Sequence, residues 1–241
     1  MKNKVTLKFN PTTLEKTWES SCRDVLNLFC LPDRRILCGF DSKGELSFEH
    51  LGYGNARAFH TPTNGFNSWP VFLENVRCDD EGPVDSLIYV RLVPPTDDAL
   101  IFAVTFAHEL QHFVQAWQSP KFYAASGFLS ENLPSFDLGA NAFETWRVPI
   151  ERDAMIRSKQ VAEAKFGRAF VAARVHSLIA DGTSLLEVEE WKYFESLSPE
   201  SVCDWQNETR HLIEENLQAV MTLRPKWPSE IDFSKKEWFL D

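Results

Sequence analysis

The sequence predicts an α+β protein: a small mixed sheet with helices in the N-terminal part and a mainly helical C-terminal half. Three observations carry that expectation. Short β-rich runs separated by turn residues fill the N-terminal part. Apolar residues then recur at helical spacing from about residue 97 onward. Inside the first of those helical segments lies the run His108-Glu109-Leu110-Gln111-His112. The division that follows is residues 1–96 as an α/β part with an edge strand and a cleft loop, 97–223 as a helical part carrying the site, and 224–241 as an extended tail. At 241 residues the chain is long enough for these to share one substantial core.

The elements are expected in this order. Lys4 to Phe9 alternates, with Val5, Leu7 and Phe9 on one side, and reads as a strand. Pro11 opens a helix to about Cys30, with Leu14, Trp18, Cys22, Val25 and Phe29 at helical spacing. Arg35 to Phe40 and Glu45 to His50 read as two strands joined through Asp41-Ser42-Lys43-Gly44. Leu51 to Trp69 reads as a glycine-bearing loop holding His60, a residue that such a loop would more often carry without a role in a site. Val71 to Val76 is a further strand candidate and Asp79 to Pro83 an acidic turn. Ser86, Leu87, Ile88, Tyr89 and Val90 begin a β-rich run that reaches Val93. Thr96 or Asp97 then caps a helix that reaches Trp117 and stops at Ser119-Pro120. Lys121 to Leu138 reads as irregular. Ala140 to Ala180 reads as helical with breaks at Pro149 and Gly167, and Glu187 to Leu197 and Pro199 to Leu223 as two more helices.

The central run carries the chemistry. Residues i and i+4 stand one above the other on a helix, so His108 and His112 can offer two imidazole nitrogens to one metal ion. Glu109 is turned about 100° around the axis, placed to act as a base on a water activated at that metal. Phe102, Phe106, Leu110, Phe113 and Trp117 form an apolar stripe whose centre lies roughly 140° from the histidines. One face is thus expected in a core and another at a site.

Composition narrows the partners. Hydrophobic residues make up 44% and charged residues 25%, and the net charge is −10, with no run of lysine or arginine. These values suit a globular protein and argue against nucleic acid or an anionic membrane as partner. Five cysteines at 22, 30, 38, 78 and 203 include no Cys-x-x-Cys pair, so reduced buried thiols are expected. Neither a signal peptide nor an apolar run of spanning length is visible, which makes the cytoplasm the default, with signal-less secretion left open.

A catalytic zinc ion usually takes three protein ligands, and the run supplies two. His176, on an apolar helical segment, reads as a packed or surface-edge histidine. Glu151 and Glu144 both remain candidates for the third. The pattern His108-Glu109-Leu110-Gln111-His112, followed downstream by Glu151-Arg152-Asp153-Ala154, resembles the gluzincin branch of the zincin metallopeptidases. That resemblance implies a zincin-like fold, Zn2+ held by His108, His112 and Glu151, and Ala154 letting two helices approach closely. The aspartate that thermolysin-like members place four residues after the glutamate is replaced here by Met155. The resemblance also implies peptide hydrolysis with Glu109 as general base. A tyrosine or histidine would serve as oxyanion donor, from among Tyr123, His176, Tyr193 and His211. The run from Ser86 would be the edge strand that pairs with extended substrate. The expected function is a zinc metallopeptidase acting on a specific intracellular protein or peptide, with room for a regulatory partner. A metal-binding regulatory protein without turnover, or a zinc hydrolase of a non-peptide amide, is the alternative.

Overall fold

The structure, a computed structural model, describes residues 5–10, 12–42, 58–62, 84–92, 98–132, 148–182 and 188–215. It is a mixed α+β fold with four strands and seven α-helices among these residues. In chain order they are β1 (Val5–Asn10), α1 (Glu15–Leu26), β2 (Ile36–Asp41), β3 (Ala58–Pro62), β4 (Ser86–Arg91), α2 (Ala99–Gln118), α3 (Pro120–Asn132), α4 (Pro149–Phe166), α5 (Arg168–Asp181), α6 (Val188–Ser196) and α7 (Trp205–Glu215). None of the described helices is long and apolar enough to cross a membrane.

The sheet runs in the order β1-β2-β4-β3. β1, β2 and β4 are parallel, and β3 lies antiparallel to β4 with His60 opposite Ile88. This corrects the edge-strand expectation for Ser86, Leu87, Ile88, Tyr89 and Val90. All five are buried and β4 sits between β2 and β3. A run apolar on both faces suits an interior strand, whereas an edge or one-sided strand would alternate. The strand at that end of the sheet is β3, in the segment expected to be loop. The antiparallel ladder to β4 orders it.

Helix α2 runs under this sheet and organises both main cores. Asp98 caps it, its carboxylate accepting from the backbone N–H groups of Leu100 (2.8 Å) and Ile101 (3.2 Å). Thr96 and Asp97, the expected caps, lie outside the described residues. Phe102, Phe106, Leu110 and Phe113 pack with Phe9, Phe40, Ile88 and Trp18, and Trp117 lies against this cluster. The rest of α2 is covered too. Leu100, Ile101 and Val104 join Met155, Ala162, Val175, Trp191 and Phe194 in a second cluster. A helix apolar nearly all round is a buried helix, so the histidines sit in a recess of the core rather than on an open face.

Helix α4 is the main helical partner of α2. Ala154 is fully buried, and its small side chain suits a close approach of the two axes. Gly167, at φ +86°, ends α4 and leads into α5, a conformation that favours glycine. Other boundaries shift. α1 ends at Leu26 rather than Cys30. Pro120 stops α2 but also opens α3, because proline suits a first helical position; that segment is helix, not irregular chain, as far as Asn132. α7 begins at Trp205 rather than Pro199, since Asp204 accepts from the Asn207 N–H and caps it there. Cys22 and Cys38 are buried as expected, while Cys30 is exposed and Cys203 half-buried. The expected strands at 45–50 and 71–76, the turn at 79–83, Cys78, Glu144 and the tail from 224 lie outside the described residues.

Candidate metal centre

The register of α2 sets His108 above His112, and the start of α4 brings Glu151 against both. His108 Nε2 lies 2.9 Å from His112 Nε2 and 3.1 Å from Glu151 Oε2, and His112 Nε2 lies 3.4 Å from the same oxygen. Among the described residues this is the group of three metal-ligating side chains whose donor atoms converge. Two ligands of a tetrahedral zinc ion are separated by roughly 3.3 Å when each bond is about 2.0–2.1 Å long. The three sides of the triangle are close to that value, and an N, N, O donor set suits zinc. The residues fit the ion.

Electrostatics point the same way. Burial disfavours a charged His112, yet the Glu151 carboxylate overrides it and holds the imidazole up at about 9. Burial would likewise raise Glu151, but His112 and His108 pull its carboxyl well below the ordinary range. His112 and Glu151 thus favour each other's charged forms across the two helices. Burial raises the carboxyl of Glu109, against the pull of the two histidines. Glu109 is 8% exposed, and its carboxylate accepts from the backbone N–H of His60 on β3.

Polar partners hold His112 from behind. His112 Nδ1 is bonded to Gln115 Oε1 at 2.8 Å. The Gln115 amide donates to the Ile150 carbonyl (3.0 Å) and to Asp153 (2.7 Å), and Gln111 donates to the same Asp153 oxygen (2.7 Å). Two acceptors claim the amide N–H groups of Gln115, so its carbonyl must face the imidazole. His112 therefore donates from Nδ1, and Nε2 is the nitrogen turned toward His108 and Glu151. Sequence reasoning missed this set. Gln111 and Gln115 are one turn apart and Gln115 is one turn past His112, which is the signal that pointed to a shared face.

The four oxyanion-donor candidates separate. Tyr123, at the start of α3, stands with its ring 6.2 Å from that of His112, and its hydroxyl is 2.9 Å from His60 Nδ1. The structure places the other three elsewhere. His176 is exposed on α5, Tyr193 packs against the second core, and His211 is exposed on α7, 3.5 Å from Glu214. His60, in the segment expected to be loop, is buried beside the site with its second ring nitrogen 3.3 Å from Ser86 Oγ. Ser86 belongs to the site through this contact, not as an edge-strand residue.

No protein family, curated protein or solved structure matches the chain.

Proposed function

We propose that this chain is a zinc-dependent peptidase of zincin type, with His108, His112 and Glu151 holding the ion and Glu109 as general base. The observation that carries the reading is the convergence of Glu151, from a separate helix, on the two histidines at 3.1 and 3.4 Å. The motif spacing on α2 does not require that convergence. When bound, zinc supplies Lewis acidity, which acidifies water toward a pKa of ~7 and polarises a carbonyl oxygen.

The chain's own groups supply the rest. Glu109, held by the His60 N–H and raised by burial, takes a proton from the attacking water and returns it to the leaving nitrogen. One water is added across the amide bond, and an acid and an amine leave. Tyr123 is the candidate placed to donate to the developing oxyanion. Extended substrate adds to the outer side of β3, the last described strand on the site side of the sheet. The substrate is a protein or peptide, a reading with which the acidic net charge of the sequence is compatible.

The test is Glu109→Gln. The expected result is one equivalent of zinc retained and peptide hydrolysis reduced about 10²–10⁴-fold. Unchanged hydrolysis by the variant overturns the mechanism. Zinc binding with no hydrolysis by the native chain favours a metal-binding protein without turnover.

A further inference from the structure

We propose that His60 is the positioning residue of this site, holding the general base with its backbone and the phenol of Tyr123 with its side chain. The inference rests on the peptidase reading above and assigns the work of a residue outside the motif.

Three observations converge on His60. Its backbone N–H donates to the Glu109 carboxylate. Its Nδ1 is 2.9 Å from the Tyr123 hydroxyl, and the two rings meet edge to face at 5.6 Å. Its Nε2 is 3.3 Å from Ser86 Oγ, which in turn accepts from the Trp117 indole N–H at 3.3 Å. One residue of β3 therefore touches both the group that moves the proton and the group offered to the oxyanion. Both contacts are fixed by the sheet: His60 pairs with Ile88 of β4, and β4 is itself interior.

The polarity of the chain follows from its far end. In the proposed polarity the indole N–H of Trp117, which can only donate, gives to Ser86 Oγ, and the serine's own proton goes to His60 Nε2. His60 is 6% exposed, and burial keeps its imidazole neutral, with one proton for two nitrogens. With Nε2 accepting, that proton sits on Nδ1 and is donated to the Tyr123 oxygen. The Tyr123 oxygen then accepts from His60 rather than giving its proton to it. A donor oriented before the reaction costs no reorganisation when the oxyanion forms. Phe113, edge to face with the His60 ring at 6.0 Å, restricts the imidazole from a further side.

The first experiment needs no substrate. Nitrogen-15 chemical shifts of His60 in the full-length, zinc-free protein report its tautomer, and protonated Nδ1 with bare Nε2 is expected. Protonated Nε2 with bare Nδ1 overturns the proposal. The second uses the zinc-loaded chain and the best-cleaved peptide of a quenched-fluorescence library. Tyr123→Phe is expected to lower kcat about 10²–10³-fold, with KM and zinc affinity unchanged. His60→Leu is expected to lower kcat in the same direction, and the double variant to be no worse than Tyr123→Phe alone, because the two act as a unit. His60→Asn, whose amide N–H can replace Nδ1–H, is expected to recover most of the loss, and it keeps the test open if the leucine variant does not fold. Native kcat in His60→Leu, or effects that multiply in the double variant, overturns the proposal. A native chain that binds no zinc, or a fully active Glu109→Gln variant, removes the peptidase reading instead, and the tautomer result stands apart from both.

Discussion

His112 and Gln115 are joined Nδ1 to Oε1 at 2.8 Å, and the glutamine can face the imidazole only with its carbonyl. Its amide is committed to Ile150 and Asp153 on α4. The same side chain therefore sets the His112 tautomer and ties α2, which carries His108 and His112, to α4, which carries Glu151. Gln115→Leu is expected to weaken zinc binding about 10–100-fold, measured by competition with a chromophoric chelator. It is also expected to cost about 1–3 kcal/mol of stability, because buried partners lose their bonds.

Glu151→Gln is expected to lower zinc affinity by at least an order of magnitude, because the amide replaces an anionic ligand. Glu144→Gln, at the rival position, is expected to bind zinc as the native chain does. Zinc content after gel filtration compares the two. Loss of zinc from the Glu144 variant would move the third ligand.

The His112–Glu151 pair sets a pH dependence with two signs. The imidazole is raised from 6.5 to about 9, so its contribution is full below pH 6.5 and is lost as pH rises through about 9. The carboxyl is depressed from 4.5, so its contribution is present above pH 4.5 and is lost as pH falls further. In the zinc-free protein the pair stabilises most between pH 4.5 and 6.5. Thermal melts of zinc-free native and Glu151→Gln proteins followed from pH 4.5 upward are expected to differ most between pH 4.5 and 6.5 and to converge above about pH 9. Zinc must displace the His112 proton, so apparent affinity is expected to fall about tenfold for each pH unit below that point.

Lys159 tests the scaffold rather than the site. Its ammonium donates to the carbonyls of Phe194 (3.0 Å), Glu195 (2.8 Å) and Leu197 (2.6 Å), closing the C-terminal end of α6. Lys159→Met is expected to cost about 2–3 kcal/mol, which lowers Tm by roughly 5–10 °C in a chain of this size. Zinc affinity is expected to stay near native, since α6 supplies no ligand.

Much of this arrangement is legible along the chain. The α2 segment announces itself because Phe102, Phe106, Leu110 and Phe113 keep one period while His108 and His112 keep another phase. Gly167 and Pro149 mark the ends of α4 by backbone chemistry alone. β3 does not announce itself. Ala58-Phe59-His60-Thr61-Pro62 lacks alternation, and its order comes from a ladder to β4, a partner remote in sequence. Gln111, Gln115 and Asp153 read as solvated helix-face residues until α2 and α4 meet. Their bonds exist only across that contact, and no local period encodes it. Ser86 to Val90 misleads for a related reason: an apolar run shows that a strand is buried, not which neighbours flank it.

The third donor also has a mechanical consequence. His108 and Glu151 are 43 residues apart, so an ion held by both is a removable cross-link closing a long loop. A permanent cross-link of that span would restrict the unfolded chain by about 4 kcal/mol. On the proposed reading, chelation does more than stop turnover: it unclasps the fold and exposes the chain to degradation. Metal supply would then govern how long each molecule survives as well as how fast it works.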